Sequence, residues 1–271
     1  MRTRILSAIL LIPVVLTVLV LGSWPFALFL SLFVLIAGFE YWRMLQSKGY
    51  RISLLSLWLL ILLWMAAAYW PAVNVLEPGL VLLILVGVGW QLVYHSATVD
   101  PTASWALTLA GGMYLGVGGS YLLRLRVHVE SYLWLLMALC IVWIADTGAY
   151  LVGRRWGQHK MAPALSPGKS WEGYGAEIVS GLLAGGLCGI CWPATLQLQL
   201  TPLWGGALGG LLALVTPLGD FFISMIKREV GVKDTGALIP GHGGALDRLD
   251  SIFWSGILTW FFRELLLIVG N

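Results

Sequence analysis

The chain has 271 residues, of which 59% are hydrophobic and only 11% are charged, and its mean hydropathy is +0.87. This composition excludes a soluble globular protein. The formal net charge of +3 is carried by few residues, and no basic tail or low-complexity segment accompanies it, so the charge argues against a nucleic-acid-binding protein. We therefore expect an integral protein of a lipid bilayer.

Long apolar runs divide the chain into segments that can cross a bilayer. A membrane helix needs about 20 apolar residues, and the runs lack the alternating pattern of a membrane β-barrel. The predicted fold class is all-α, a polytopic integral membrane helical bundle with about nine transmembrane helices. We interpret the 33 glycines as sites of close helix packing. The predicted spans are 5–22, 25–43, 52–70, 78–95, 104–123, 132–153, 174–192, 203–226 and 249–269.

The positive charges predict the orientation of the bundle. If the N-terminus is cytoplasmic, every lysine and arginine except Arg124, Arg126 and Arg263 lies on the cytoplasmic side. The loops 154–173 and 227–248 then share that side. We interpret residues 1–130 as N-terminal transmembrane helices that act as a scaffold, with lipid access or oligomer contacts as further roles. Residues 131–271 are interpreted as the catalytic transmembrane region, and a homo-oligomer is left open.

Acidic residues at membrane depth are the first candidates for chemistry, because ionisable groups there are costly and usually functional. Carboxylates at the polar edge of a helical bundle suit Mg²⁺, which takes few carboxylates together with phosphate oxygens and water. A second cation is left open. The four candidate metal ligands are Asp146, Asp220, Asp247 and Asp250.

Helical spacing groups some of these residues. Asp220, Ser224 and Lys227 stand at i, i+4 and i+7 and therefore line one face of a helix. The same acids have a second interpretation, in which they serve only as ion-pair partners. Asp220 would then pair with Lys227, and Asp247 with Arg248.

Basic residues mixed with these acids point to phosphate groups. Lys169 lies in Ser166-Pro-Gly-Lys-Ser-Trp-Glu-Gly, where glycine and serine precede a helix N-terminus as in phosphate-holding loops, although no P-loop motif is present. Point charges and guanidinium forks bind polyphosphates, and the alternative is a cationic flank that touches anionic lipid headgroups. The other candidate cations are Lys227, Arg228, Lys233 and Arg248.

Pro240-Gly-His-Gly-Gly predicts a flexible turn. Its glycines, Gly243 and Gly244, permit positive φ and a close approach of the backbone to a ligand. We interpret His242 as a hydrogen-bonding residue of this turn rather than as a catalytic base.

The segment from Ser224 to Asp250 resembles the signature of the phosphatidate cytidylyltransferases, or CDP-diacylglycerol synthases. Its pattern is Ser224-x-Ile-Lys-Arg-x4-Lys-Asp-x-Gly-x2-Ile-Pro-x-His-Gly-Gly-x2-Asp-Arg-Leu-Asp250. Asp146-Thr-Gly-Ala-Tyr150 and Ser166-Pro-x-Lys-Ser-x-Glu-Gly173 resemble further motifs of that family, in the expected order. The resemblance covers about residues 140–255, and Ala245 departs from the larger aliphatic residue usual in the family.

This resemblance implies a membrane nucleotidyltransferase that converts CTP and phosphatidic acid into CDP-diacylglycerol and pyrophosphate in phospholipid biosynthesis, with Mg²⁺ required. We expect it in the bacterial inner (cytoplasmic) membrane, with the active site facing the cytoplasm. The implied catalytic residues are Asp220, Asp247, Lys169, Lys227 and Arg248. The implied substrate-binding residues are Ser166, Lys169, Ser224, Lys227, Arg228, Lys233, His242, Gly243, Gly244 and Arg248.

Two other functions are the alternatives. A CTP-dependent lipid-alcohol kinase would use similar triphosphate contacts but would transfer the γ-phosphate. A transporter or flippase for an anionic lipid would also need charges within the membrane, but would consume no CTP.

Overall fold

The computed structural model describes residues 2–94, 100–129, 132–191, 200–236 and 243–269, without the side chains of residues 2–11 and 94. Helices dominate this part of the chain, and one two-stranded sheet accompanies them. The helices in chain order are α1 (Arg2–Leu21), α2 (Ser23–Gln46), α3 (Leu54–Tyr69), α4 (Leu76–Tyr94), α5 (Pro101–Val127), α6 (Leu133–Trp156), α7 (Trp171–Cys191), α8 (Pro202–Val215), α9 (Pro217–Val230) and α10 (Leu246–Val269).

The helical membrane class is confirmed, but the number of nine spans is not. Among the described residues, 7 helical segments are long and apolar enough to cross a membrane. Two apolar segments do not reach that length, namely Ile12–Leu21, which is the part of α1 whose side chains the structure describes, and Leu54–Tyr69. The chain is therefore an integral membrane protein built from helices, and most of the described residues in the predicted spans are helical.

The predicted span 203–226 contains two helices, α8 and α9, rather than one. Pro217 has no backbone N–H, so it cannot donate the hydrogen bond that would continue α8. At the break, the N–H and the hydroxyl of Thr216 both donate to the carbonyl of Leu212, over 2.9 and 2.8 Å. Together the two helices make one candidate span, Pro202–Val230.

A β-hairpin lies between α6 and α7 and was missing from the all-α prediction. Strand β1 (Lys160–Ala162) pairs antiparallel with β2 (Ser166–Ser170), which carries Ser166 and Lys169. The hydroxyl of Ser170 accepts the N–H of Gly173 over 3.2 Å and so caps the start of α7. The hairpin therefore sets Lys169 two residues ahead of a helix N-terminus.

Packing divides the chain into two compact units. The first comprises Met1–Val127 and Ile226–Leu249, and the second comprises His128–Met225 and Asp250–Asn271. In the first unit α3 packs against α2, α4 and α5, and in the second α7 packs against α6 and α8. From the sequence, residues 1–130 are predicted to be a scaffold and residues 131–271 a catalytic region. That division concerns function, which packing does not test, so it stays a prediction.

Glycines bring α7 and α8 into backbone contact within the second unit. A Cβ atom at Gly181 or Gly185 would collide with the carbonyl oxygen of Gly209 or Gly205, respectively. The glycines repeat every four residues along α7, so they form one face of that helix. The interpretation of these glycines as packing sites is confirmed.

In the first unit, helix α2 presents an apolar stripe to the interior. Phe26, Leu30, Val34 and Ala37 are buried at helical spacing, whereas Leu28, Leu32 and Ile36 on the other side are exposed. Glu40 lies in the buried face, near the C-terminal end of α2. A carboxylate at such a position needs hydrogen-bond partners, because an unpaired buried charge is strongly unfavourable.

Candidate functional site

The first group of site residues is in the second unit, and we call Lys169, Asp220 and Ser224 the Asp220 cluster. Lys169 Nζ lies 2.8 Å from Asp220 Oδ2, with 28% and 31% of the two side chains exposed. Ser224, one helical turn along α9, donates from Oγ to Asp220 Oδ1 over 3.3 Å. The ammonium group of Lys169 also lies 4.6 Å from the ring centroid of Phe221. This cation and this carboxylate are thus paired and both partly exposed.

Two further acids belong to the electrostatic surroundings of this cluster. Glu177 on α7 is buried, with 6% of the residue exposed, and it interacts electrostatically with Asp146, Lys169 and Asp220. Asp146, the predicted metal ligand on α6, is exposed. Three predicted site residues of the second unit, Asp146, Lys169 and Asp220, therefore share an electrostatic neighbour, Glu177.

The second group lies in the first unit, and we call Glu40, Lys227, Thr235, Gly244 and Asp247 the Asp247 cluster. Lys227 Nζ lies 2.6 Å from Asp247 Oδ1, with only 10% and 8% of the side chains exposed. Oδ2 of Asp247 accepts three more hydrogen bonds, from Thr235 N (2.9 Å), Thr235 Oγ1 (2.9 Å) and Gly244 N (3.1 Å). Both oxygens of this carboxylate are engaged by the protein.

The backbone explains how these residues reach each other. Helix α9 ends at Val230, and the next residue, Gly231, has φ +80°, a conformation that favours glycine. Lys227 therefore lies in the last turn of that helix. Gly243 also has φ +80° and precedes the start of α10. Asp247 is the second residue of α10, close to the backbone N–H groups that a helix leaves unpaired at its start.

The expected partners of the two acids need correction. The sequence suggested Lys227 for Asp220 and Arg248 for Asp247, whereas the described ion pairs join Asp220 to Lys169 and Asp247 to Lys227. Helical spacing predicted which residues of one helix share a face. It could not predict a partner on the hairpin, which is remote in sequence.

The other predicted residues have varied environments. Ser166 is half-buried on β2, and Arg228, Lys233 and Arg248 are exposed. Asp250 is buried on α10, and its Oδ1 accepts the N–H of Ser251 over 2.7 Å. His242 lies outside the described residues. The roles assigned to these residues stay predictions.

A magnesium site can be tested against the donors present. In the described part of the chain, no three His, Cys, Asp or Glu side chains are grouped so as to hold a metal ion. Mg²⁺ usually takes one or two carboxylates and completes its shell with substrate phosphates and water. Asp220, which is partly exposed, fits an ion that arrives with phosphate oxygens. A magnesium site formed by protein ligands alone does not fit the described residues.

Two buried acids, Glu40 and Glu177, were not selected from the sequence. Each lies inside a predicted span, 25–43 or 174–192, and is buried in the structure. The criterion that selected Asp146 and Asp220, an ionisable group at membrane depth, would have selected them as well. Thr235 had no comparable signal, because a threonine in a polar segment is ordinary.

Known proteins are similar to this chain over nearly its whole length. Residues 2–266 match the model of the Cytidylyltransferase family. A protein of Mycobacterium bovis named phosphatidate cytidylyltransferase is 33% identical over 93% of this chain and 85% of its own length. Proteins of the same name from Synechocystis sp. and Bacillus subtilis are 32% and 31% identical, and in each the alignment covers 98% of the relative. These alignments span 99% and 98% of this chain, including both clusters.

Proposed function

The chain belongs to the cytidylyltransferase family, and on this premise we propose that it transfers the cytidylyl group of CTP to phosphatidic acid. The products are CDP-diacylglycerol and pyrophosphate. The observation that carries the proposal is the alignment with phosphatidate cytidylyltransferases over nearly the full length of both chains. Two ion pairs, Lys169–Asp220 and Lys227–Asp247, support the proposal, because a reaction between polyanions would use cations and metal-binding carboxylates.

The reaction joins two polyanions. An oxygen of the phosphatidate phosphate attacks the α-phosphorus of CTP, a new P–O bond forms, and the bond to the β-phosphate breaks as pyrophosphate leaves with the electron pair. A phosphate monoester is already ionised near neutral pH, since its second pKa is about 6. No general base is therefore required, and the work of the protein is alignment and charge neutralisation.

Lys169 is the cation of the Asp220 cluster that we assign to the phosphates. Its ion pair with Asp220 is partly exposed, and such pairs contribute only about 0–1 kcal/mol, so Lys169 can exchange this carboxylate for a phosphate at little cost. Asp220 would then be available to an incoming Mg²⁺. When bound, the ion would neutralise phosphate charge and orient the triphosphate.

We assign the remaining cations to the same task. Lys227 and Arg248 are expected to stabilise the charge of the leaving pyrophosphate, and Arg228 and Lys233 to attract the nucleotide. Ser166, Ser224, His242, Gly243 and Gly244 are expected to contact substrate. Asp146, Asp247 and Asp250 complete the set of acids proposed for the metal. For Asp247 this role requires that it give up part of its contact with Lys227.

The membrane location supports this proposal. Phosphatidic acid resides in a bilayer, and the chain is an integral membrane protein with apolar helices exposed on its outside. We propose that it lies in a bacterial inner membrane with both clusters on the cytoplasmic side, where CTP is present. The distribution of lysine and arginine supports that orientation.

The decisive experiment uses the purified full-length protein in detergent with phosphatidic acid, Mg²⁺ and radiolabelled CTP. We expect label from the α-phosphate to enter the lipid and label from the γ-phosphate to leave as pyrophosphate. Entry of the γ-label into a lipid would instead identify a lipid kinase. Failure to consume CTP under any lipid condition would refute the nucleotidyltransferase and favour a transporter.

The assignment of Asp220 is tested in the same assay. Asp220→Asn should abolish turnover, whereas Lys160→Met, at an exposed position of the β-hairpin that carries Lys169, should leave it unchanged. Normal turnover by a folded Asp220→Asn protein would remove Asp220 from the mechanism.

A further inference from the structure

Glu40 is a buried carboxylate that the proposed reaction does not use. It lies on α2, far in sequence from the segment 224–250, and only 6% of the residue is exposed. None of the ion pairs found among the described residues includes it. Its charge must therefore be compensated by other groups, because an isolated carboxylate in an apolar interior is strongly unfavourable.

The compensation comes from the start of α10. Glu40 Oε1 accepts the backbone N–H of Ala245 over 3.0 Å, and Oε2 accepts that of Leu246 over 3.0 Å. N–H groups at the start of a helix have no partner within the helix, and the helix dipole favours negative charge there. Glu40 thus caps α10 from another helix, across 205 and 206 residues of sequence.

A third hydrogen bond connects Glu40 to Asp247. Thr235 Oγ1 lies 3.1 Å from Glu40 Oε2 and 2.9 Å from Asp247 Oδ2, so the single hydroxyl proton can serve either acid. Thr235 and Gly244 also donate their backbone N–H groups to Asp247. The two carboxylates together hold the backbone at Thr235 and at Gly244–Leu246.

Two glycines leave room for this arrangement. A Cβ atom at Gly236 or at Gly244 would collide with the carboxylate of Glu40. A side chain at either position would therefore displace Glu40 from the start of α10. Both glycines lie in the segment that resembles the family signature, and Glu40 supplies a physical reason for them.

We propose that Glu40 is a positioning residue for cytidylyl transfer. By binding Ala245, Leu246 and Thr235, it fixes the backbone to which Asp247 is bonded, and so sets the position of Asp247 and of its partner Lys227. This proposal rests on the proposed function, because the reaction is what the positioning serves. Glu40 itself touches no reacting atom.

The test compares three variants, Glu40→Gln, Glu40→Asp and Glu77→Gln. Glu40→Gln keeps the size of the side chain but places an NH₂ group against N–H donors. Glu77 is an exposed acid in the first turn of α4 and provides the matched control. Partners that orient catalytic groups are typically worth about 10–100-fold in activity. We expect a loss of kcat of this size in Glu40→Gln, measured per folded protein. The KM for CTP should change much less, and Glu40→Asp should recover part of kcat.

Amide hydrogen exchange supplies a readout that does not depend on turnover. The amides of Ala245 and Leu246 should exchange faster in Glu40→Gln than in the wild type or in Glu77→Gln. Wild-type kcat per folded protein in Glu40→Gln, or unchanged exchange at these amides, would overturn the proposal. A wild-type protein that makes no CDP-diacylglycerol would instead refute the proposed function.

A second variant covers the case in which Glu40→Gln does not fold. Thr235→Val removes the hydroxyl that serves both acids while it leaves α2 unchanged, and Thr235→Ser should restore function. We expect Thr235→Val to lower kcat, and the double variant Glu40→Gln/Thr235→Val to be little worse than Glu40→Gln alone. Full kcat in Thr235→Val, or two losses that multiply, would contradict a shared action through Asp247.

Discussion

The two aspartates proposed for the reaction should differ sharply in their contribution to stability. Asp247 is almost buried and has four hydrogen-bond donors, including Lys227 at 2.6 Å. Replacing it with asparagine leaves the Lys227 charge unpaired in a nearly buried position. Breaking a buried pair in this way costs about 3–5 kcal/mol.

Asp220 has the opposite environment. About a third of its side chain is exposed, and so is a similar part of Lys169. Loss of a pair of this kind costs about 0–1 kcal/mol. Asp220→Asn should therefore fold almost as stably as the wild type, although both variants should lack cytidylyltransferase activity.

The free energy of unfolding can be measured for both variants in detergent with a chemical denaturant, followed by the fluorescence of the 15 tryptophans. The double variant Lys227→Met/Asp247→Asn is the control, because it removes the unpaired charge and should recover part of the stability lost in Asp247→Asn. An Asp220→Asn protein as unstable as Asp247→Asn would refute this reasoning.

Three further predictions concern the second unit. Gly185→Ala should destabilise the packing of α7 on α8 by about 1–3 kcal/mol, because its Cβ would collide with a carbonyl oxygen. Gly186→Ala is the matched control, since its Cβ would lie 3.6 Å from the nearest atom, and equal thermal stability of the two variants would contradict the prediction. Lys169→Met should raise the KM for CTP or abolish turnover while Lys160→Met does neither, as measured by steady-state kinetics. Thr201→Ala should lose about 1 kcal/mol of unfolding free energy, since the hydroxyl of Thr201 caps α8, and Thr201→Ser should retain it.

The chemistry-bearing residues differed in how far sequence could locate them. Asp146 and Asp220 stood out because an ionisable group in an apolar run is conspicuous. The same signal was present at Glu40 and Glu177 and was overlooked. The pairing of Lys169 with Asp220 had no such signal, since one lies on a hairpin and the other on a helix about fifty residues later.

Composition and hydropathy determined that this protein is a helical membrane protein, because the lipid bilayer leaves a chain of this kind few ways to satisfy its backbone. The motif at 224–250 was sufficient to predict the family. Only the tertiary structure decided which carboxylate pairs with which cation, that a β-hairpin carries Lys169, and that Glu40 caps α10. These contacts join residues far apart in sequence, and their partners are set by the packing of helices rather than by any local periodicity.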